Sequence, residues 1–430
     1  MKYHQINNQL FIKNRKKFVV QMKSKSIAIF NSNDVFTTGA DSTLPFYQHR
    51  DIFYLSGVDQ EESIVLLFPD AANKAHQEVL FVKETNDQMA IWEGAKLSKE
   101  QATQTSGIQT VYWLSDFDKV FFDLMTESET IYFNTNEHYR QSIELESRED
   151  RFIKKIKANF PAHNWAKSFP ILQEIRGVKE PEEIELIQNA CNITENGFRR
   201  ILNFVKPGVQ EYEIEAEFMH EFLRNRSKGF AYTPIIGSGY SACVLHYIEN
   251  NQECKDGDML LLDIGAEYAN YSSDMTRTIP VNGRFTERQK AVYNAVLRVK
   301  DAATNMLIPG TIWADYHKEV GKIMTSELLV LGLIDKADVQ KEDSNWPAYK
   351  KYFMHGTSHH MGLDTHDYGA LKTPMKANMV FTVEPGIYIP KENMGIRLED
   401  DVVIQQTGSP FNLMRNIPIT VTEIEDLMNQ

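Results

Sequence analysis

The sequence predicts an α+β protein with a smaller α/β domain over residues 1–170 and a larger domain over residues 171–430. Three observations support this organisation. The 430 residues correspond to two or three domains of about 100–200 residues each. The first 160 or so residues alternate short apolar segments with helical ones, and the remainder contains an internal repeat.

Three short apolar segments predict strands in the leading domain. They cover residues 26–30, 63–68 and 78–82, and each is bounded by polar or proline-containing turns. No chemical motif is found in this part of the chain. The charged stretch 127–156 indicates exposed surface and a domain boundary soon after it.

The larger domain begins with a pattern that returns about 100 residues later. One helix is predicted to start at Pro181, with acids in its first turn, and another at Thr286, a capping-box candidate. The helices end at related segments, 203–208 and 305–310, whose Pro-Gly pairs are offset by 102 residues. A second amphipathic helix and then strands follow each pair. Two helix stops could coincide by chance, but the acids that follow strengthen the case for a repeat.

Each half supplies one acid at the end of an apolar strand and a second acid after it. These are Asp263 and Asp274 in the first half, and Glu384 and Glu399 in the second. A single acid at a strand end is usually solvated. Four in related positions indicate a shared site, because burying four carboxylates without cations is prohibitively costly.

Histidines accompany these acids. His246 precedes Asp263 by 17 residues and His366 precedes Glu384 by 18, and the segment 355–366 contains four of the chain's 12 histidines. This segment could be a polar loop, but its association with the four acids favours a site in which one imidazole joins the carboxylates around a metal ion. Such ligands suit hard divalent ions, Mn²⁺ first, with Fe²⁺, Co²⁺ and Zn²⁺ as alternatives. Shared carboxylates suit a two-metal centre that makes a hydroxide nucleophile from a bridging water.

Composition and motifs argue against several other classes of protein and of active site. The net charge of −13 disfavours nucleic acid as a partner, and no apolar run approaches the 18 residues of a membrane span. Three cysteines without CxxC spacing argue against disulfides, and the polar, basic N-terminus is not a signal peptide, so a cytoplasmic location is expected. No Gly-x-Ser-x-Gly elbow is present, and the His-x-x-x-His of residues 355–359 lacks the glutamate of a metalloprotease helix.

In this order, five residues resemble the ligand pattern of the creatinase/methionine aminopeptidase metallopeptidases, the "pita-bread" family: Asp263, Asp274, His359, Glu384 and Glu399. The motifs that carry the resemblance are LLDIGAEYANYSSDMTRT, HGTSHHMGLDTHD, TVEPGIYI and GIRLEDDVVI. The segments 46–57 and 231–247 are similar to the aminopeptidase P branch of that family. The resemblance implies a pita-bread catalytic domain with pseudo-twofold halves. It also implies a metal-dependent Xaa-Pro aminopeptidase, acting on peptides with proline in second position.

The resemblance also implies roles for the ligands. Asp263 would bind one metal ion and His359 with Glu384 the other, while Asp274 and Glu399 would bridge both. Glu384 would also carry a proton from the bridging water to the leaving nitrogen.

Five further residues would serve the substrate. His246 and His366 would polarise the scissile carbonyl, and His355 would wall the proline pocket. Arg397 would orient the ligands and the downstream side of the substrate, or else act as a counter-ion to the neighbouring acids. Tyr232 would line the site.

Three alternatives remain open on the sequence. A prolidase could share all five ligands but would cleave only Xaa-Pro dipeptides. A methionine aminopeptidase is less favoured, because the long leading domain would have no role in it. A non-catalytic binding module on this fold would lack the ligands, whereas all five are present here. The resemblance further implies a homo-oligomer, a dimer or a tetramer, with the leading domain as the expected contact. His360 stands where the family often has a bulky apolar or aromatic residue.

Overall fold

The computed structural model describes residues 2–135, 137, 138, 140, 144–343 and 345–430. The chain forms two compact units, Tyr3–Arg176 and Gly177–Gln430. The boundary expected at 170/171 falls inside the helix Phe169–Gly177, and the division comes near the end of that helix.

The first unit is a sheet covered by helices. Its helices are α1 (Gln9–Val19), α2 (Arg50–Ser56), α3 (Asp87–Glu93), α4 (Lys99–Ser106), α5 (Phe117–Met125), α6 (Arg148–Asn159) and α7 (Phe169–Gly177). Its strands are β1 (Ser26–Asn31), β2 (Thr37–Gly39), β3 (Ser42–Thr43), β4 (Ile64–Leu67), β5 (Glu78–Val82), β6 (Thr110–Trp113), β7 (Thr130–Phe133) and β8 (Asn164–Lys167). Six of the strands form one mixed sheet in the order β6-β5-β4-β1-β7-β8, and β2 pairs with β3.

The three strands predicted for this unit are confirmed as β1, β4 and β5. Side chains alternate between the faces of a strand. On β1, Ile27 and Ile29 pack in one cluster with Phe117 and Phe121 of α5, while Phe30 on the opposite face contacts Phe18 of α1. Helices therefore cover both faces of the central strand, which explains why β1 is apolar without a polar alternation.

The second unit contains the repeated halves. Its helices are α8 (Pro181–Phe204), α9 (Glu211–Arg224), α10 (Glu287–Asn305), α11 (Trp313–Val330), α12 (Lys336–Gln340) and α13 (Val421–Met428). Its strands are β9 (Ile235–Ser238), β10 (Met259–Ile264), β11 (Glu267–Tyr268), β12 (Tyr271–Ser272), β13 (Met275–Pro280), β14 (Val380–Val383), β15 (Gly386–Ile389), β16 (Met394–Arg397), β17 (Asp400–Val403) and β18 (Phe411–Asn412).

The predicted repeat is confirmed in the order of these elements. A helix pair opens each half, α8 with α9 and α10 with α11, and antiparallel strands follow it. The main sheets are β13-β10-β9 and β14-β17-β18, and short hairpins β11-β12 and β15-β16 accompany them. The predicted helix starts at Pro181 and Thr286 are also confirmed, the latter with both hydrogen bonds of a capping box. Among the described residues, no helix combines the length and apolarity needed to cross a membrane.

Candidate metal centre

The acids of the first half lie on or immediately beside two adjacent antiparallel strands. Asp263 is the penultimate residue of β10, where it pairs with Thr276, and Asp274 immediately precedes β13. The strands come very close at Gly265, because a Cβ there would lie 1.8 Å from the carbonyl oxygen of Ser273. Only glycine fits this approach, which explains the glycine in the Asp-Ile-Gly motif.

The second half repeats this arrangement. Glu384 immediately follows β14 and Glu399 immediately precedes β17, and Val383 pairs with Asp400 in the antiparallel register between them. The halves meet at Glu399, whose backbone N–H donates to the carbonyl of Thr276 at 3.0 Å. The Thr276 hydroxyl donates to Glu399 Oε2 at 2.7 Å. Strand pairing within each half and hydrogen bonds between the halves thus bring the four acids into one place.

His359 faces the carboxylates. Atoms of Asp274, His359 and Glu399 that can bind a metal all lie within 4.8 Å of one another. His359 Nδ1 lies 3.0 Å from the carbonyl oxygen of His360, which can only accept, so Nδ1 carries the proton of the neutral ring. His359 Nε2 then presents its lone pair 3.4 Å from Asp274 Oδ2 and 3.5 Å from Glu384 Oε1. These atoms are all acceptors, and a cation among them would satisfy every one.

The raised pKa values of the acids indicate the same need for positive charge. Burial, followed by the charge of neighbouring carboxylates, raises the pKa of Asp274 and of Glu399 well above the ordinary range. Burial raises the pKa of Glu384 to about 7, against the lowering effect of His359. Without cations, these raised pKa values favour the protonated, neutral carboxyl groups over the charged carboxylates. The residues present therefore fit divalent metal ions, which would replace those protons.

Tyr232 and Arg397 both contact Asp263 from the protein side. The Tyr232 hydroxyl lies 2.6 Å from Asp263 Oδ1 and 2.5 Å from Asp274 Oδ1. Arg397 Nη2 donates to Asp263 Oδ2 at 2.5 Å. Burial lowers the pKa of Arg397, but Tyr388 and the acids more than compensate, and the net pKa is raised. One guanidinium cannot neutralise four carboxylates, so more positive charge is still required.

The other predicted histidines are placed differently from one another. His355 lies 2.7 Å from the Tyr388 hydroxyl through Nε2 and 3.6 Å from Glu384 Oε2 through Nδ1, and burial lowers its pKa to about 3. The ring of His366 lies 3.8 Å from that of His359, between centroids. His246 is exposed, and its charge contributes to the lowered pKa of His355.

Arg397 is more than a counter-ion to its neighbours in sequence. Besides Asp263, its guanidinium donates to the Tyr388 hydroxyl at 2.8 Å and to Thr276 Oγ1 at 3.2 Å. The neighbouring Asp400 is held by other cations, Arg277 at 2.6 Å and Lys300 at 2.5 Å.

The sequence did not reveal three polar residues of the site. Tyr388 joins Arg397 to His355, Thr276 joins Glu399 to Arg397, and Asp401 Oδ2 accepts from the backbone N–H of Asp274 at 3.0 Å. All three lie inside the motifs that carry the family resemblance, Thr276 in LLDIGAEYANYSSDMTRT, Tyr388 in TVEPGIYI and Asp401 in GIRLEDDVVI.

His360 lies in apolar surroundings despite its place in the histidine-rich segment. Its ring is buried beside Trp313 and Phe381, at 6.4 and 4.3 Å between centroids, and burial lowers its pKa to about 3. A neutral imidazole thus occupies the position where the family often has a bulky apolar or aromatic residue.

Comparisons with known proteins agree with this geometry. Residues 185–406 match the family model for metallopeptidase family M24, and residues 11–132 match that for the aminopeptidase P N-terminal domain. The Xaa-Pro aminopeptidase of Escherichia coli strain K12 is 34% identical, covering 99% of this chain and 98% of its own. Xaa-Pro aminopeptidase 3 of Homo sapiens is 30% identical, covering 93% of this chain and 80% of its own.

Solved structures are similar over nearly the full length. Aminopeptidase PepP of Pseudomonas aeruginosa has a TM-score of 0.89 at 30% identity, covering 99% of this chain and 98% of its own. Zinc-substituted E. coli aminopeptidase P in complex with product has a TM-score of 0.86 at 32% identity, covering 99% of both chains. The predicted fold class is thereby confirmed.

Proposed function

The chain belongs to metallopeptidase family M24, with an aminopeptidase P N-terminal domain ahead of the catalytic one, and on this premise we propose that it is a metal-dependent Xaa-Pro aminopeptidase. It would release the first residue from peptides that carry proline in second position. The names of the full-length relatives support this substrate class. The observation that carries the proposal is the His359 imidazole, which presents its lone pair to the buried carboxylate of Asp274 and the partly buried carboxylate of Glu384.

Family membership implies a dinuclear site for divalent metal ions, and five residues would hold them: Asp263, Asp274, His359, Glu384 and Glu399. Oxygen ligands with a single imidazole favour Mn²⁺ over softer ions, with Fe²⁺, Co²⁺ and Zn²⁺ as alternatives. When bound, the ions supply Lewis acidity and lower the pKa of a coordinated water toward neutrality. Arg397 and Tyr232 would orient the carboxylates, since each touches Asp263.

The chain's own side chains would supply proton transfer and carbonyl polarisation. Glu384 is suited to transfer a proton, because its carboxylate lies among the candidate metal ligands, where the coordinated water would be. We propose that His246 and His366 donate hydrogen bonds to the scissile carbonyl oxygen as negative charge develops. His355 would line the proline pocket, where its lowered pKa keeps the ring neutral beside an apolar substrate residue.

A peptide panel tests this function. The purified protein, loaded with Mn²⁺, is incubated with Xaa-Pro-Xaa, Xaa-Pro and Xaa-Ala-Xaa peptides, and free amino acid is measured. We expect release from Xaa-Pro-Xaa and little from Xaa-Ala-Xaa. Cleavage of the dipeptide alone would identify a prolidase instead, and preference for Xaa-Ala-Xaa would refute proline specificity.

We also propose a cytoplasmic homo-oligomer, either a dimer or a tetramer. The support is the resemblance to aminopeptidase P over both domains. Light scattering after size-exclusion chromatography tests the assembly, and a monomer would refute it.

A further inference from the structure

His246 lies on an exposed loop, residues 244–252, that follows the short 3₁₀ helix Gly239–Cys243. Exposed loops move readily unless buried contacts hold them. The role proposed for His246 requires its imidazole to stay within hydrogen-bonding reach of the substrate carbonyl. Whatever holds this loop therefore bears directly on catalysis.

One buried carboxylate ties the loop to the sheet. Glu211, the first residue of α9, is fully buried. Its Oε1 accepts from the backbone N–H of Ser238, on β9, at 2.8 Å. Its Oε2 accepts from the Tyr247 hydroxyl at 2.8 Å and from the backbone N–H of Gln252 at 2.9 Å. Because β9 pairs with β10, the same carboxylate connects the loop to the strand that carries Asp263.

Two further contacts fix the loop in place. The ring of Tyr247, the residue after His246, is buried in the same apolar cluster as Tyr388. Asn250 Oδ1 accepts from the backbone N–H of Ile236 at 3.0 Å. Both the hydroxyl and the ring of Tyr247 are thus held, which limits where the adjacent imidazole can lie.

The helix dipole does not account for Glu211. An acid in the first turn usually interacts with the N–H groups of its own helix. Glu213 does this for α9, because its carboxylate accepts from the backbone N–H of Gln210 at 2.8 Å. Glu211 directs its hydrogen bonds to a strand and a loop outside the helix. A fully buried carboxylate is costly unless donors satisfy it, and here three donors do.

We propose that Glu211 is a positioning residue for His246. It holds Tyr247 and both sides of the loop so that the imidazole faces the substrate carbonyl. This inference rests on the proposed function, because it requires His246 to act on that carbonyl.

A double-mutant cycle tests the inference. Glu211→Gln keeps the shape of the side chain but replaces one acceptor oxygen with an NH₂ that faces donors. We expect kcat/KM on Xaa-Pro-Xaa with Mn²⁺ to fall about ten- to a hundred-fold, mainly in kcat, as for a misplaced catalytic group. In a His246→Ala background the same substitution should cost less than about two-fold, because its effect acts through the missing imidazole. Bound Mn²⁺ per chain should stay unchanged.

Equal losses in both backgrounds, or loss of Mn²⁺ in Glu211→Gln, would overturn the inference while leaving the proposed function intact. Full activity of a His246→Ala variant would also overturn the inference, because it would show that His246 does not act on the substrate carbonyl. Glu217→Gln is the matched control, because it lies on the same helix and pairs with Arg200. If Glu211→Gln does not fold, Tyr247→Phe removes one of the three donors. It should show a smaller loss that also disappears without His246, and additive losses would overturn the inference.

Discussion

Tyr232→Phe should weaken metal binding without unfolding the protein. The hydroxyl lies 2.6 Å from Asp263 Oδ1 and 2.5 Å from Asp274 Oδ1. Burial, with the charges of both acids, raises the pKa of Tyr232 well above its usual value, so the phenol keeps its proton. A phenol has one proton, so the substitution removes one hydrogen bond to a charged group, worth about 1.5–3 kcal/mol.

At about 1.4 kcal/mol per factor of ten, this loss corresponds to roughly a ten- to hundred-fold weaker affinity for Mn²⁺. The range agrees with the usual effect of removing a hydrogen-bond partner of a metal ligand, about 10–100-fold. Calorimetric titration of chelator-stripped protein with Mn²⁺ measures it, and Tyr212→Phe, an exposed tyrosine on α9, is the control. An unchanged affinity in Tyr232→Phe would show that the hydroxyl does not support the ligands.

Three further predictions follow from individual contacts. His359→Ala should abolish Mn²⁺-dependent hydrolysis, since it removes the imidazole that faces the acids; residual activity above a few per cent in a peptide assay would contradict this. Asp400→Ala should destabilise the fold by about 3–5 kcal/mol in urea unfolding, because Arg277 and Lys300 lose their shared buried partner; a change below about 1 kcal/mol would refute that estimate. Burial raises the pKa of Glu149 from 4.5 to about 8, so the folded state holds a proton that the unfolded state loses, and stability falls as pH rises through this window. Glu149→Gln should remove this loss of stability. If the difference in Tm between the unsubstituted protein and this variant stays constant from pH 5 to pH 8, the proposed effect of Glu149 is excluded.

The repeat and the four acids could be predicted because they depend on local patterns. A strand that ends in an acid, such as the apolar run before Asp263, is visible in the sequence without any tertiary information. Antiparallel pairing of the strands then places a second acid beside the first. The pairing of Val383 with Asp400, for example, brings the flanking residues Glu384 and Glu399 together. The five-residue pattern itself came from resemblance to a family.

The supporting contacts could not be predicted because they depend on pairing between the halves. Thr276 reaches Glu399 only because β13 meets the segment before β17, 123 residues later in the chain. His360 illustrates the opposite case. Its polar side chain stands where the family often has a bulky apolar or aromatic one, yet its ring packs beside Trp313 and Phe381. Side-chain type does not determine which way a residue points in an irregular segment.

Anomalous diffraction from crystals grown with Mn²⁺ tests the central claim most directly. The account predicts two anomalous peaks per chain, held between them by the five side chains of the candidate centre: Asp263, Asp274, His359, Glu384 and Glu399. A single peak would contradict it. Peaks bound by other residues, in crystals whose dissolved protein is active, would also contradict it.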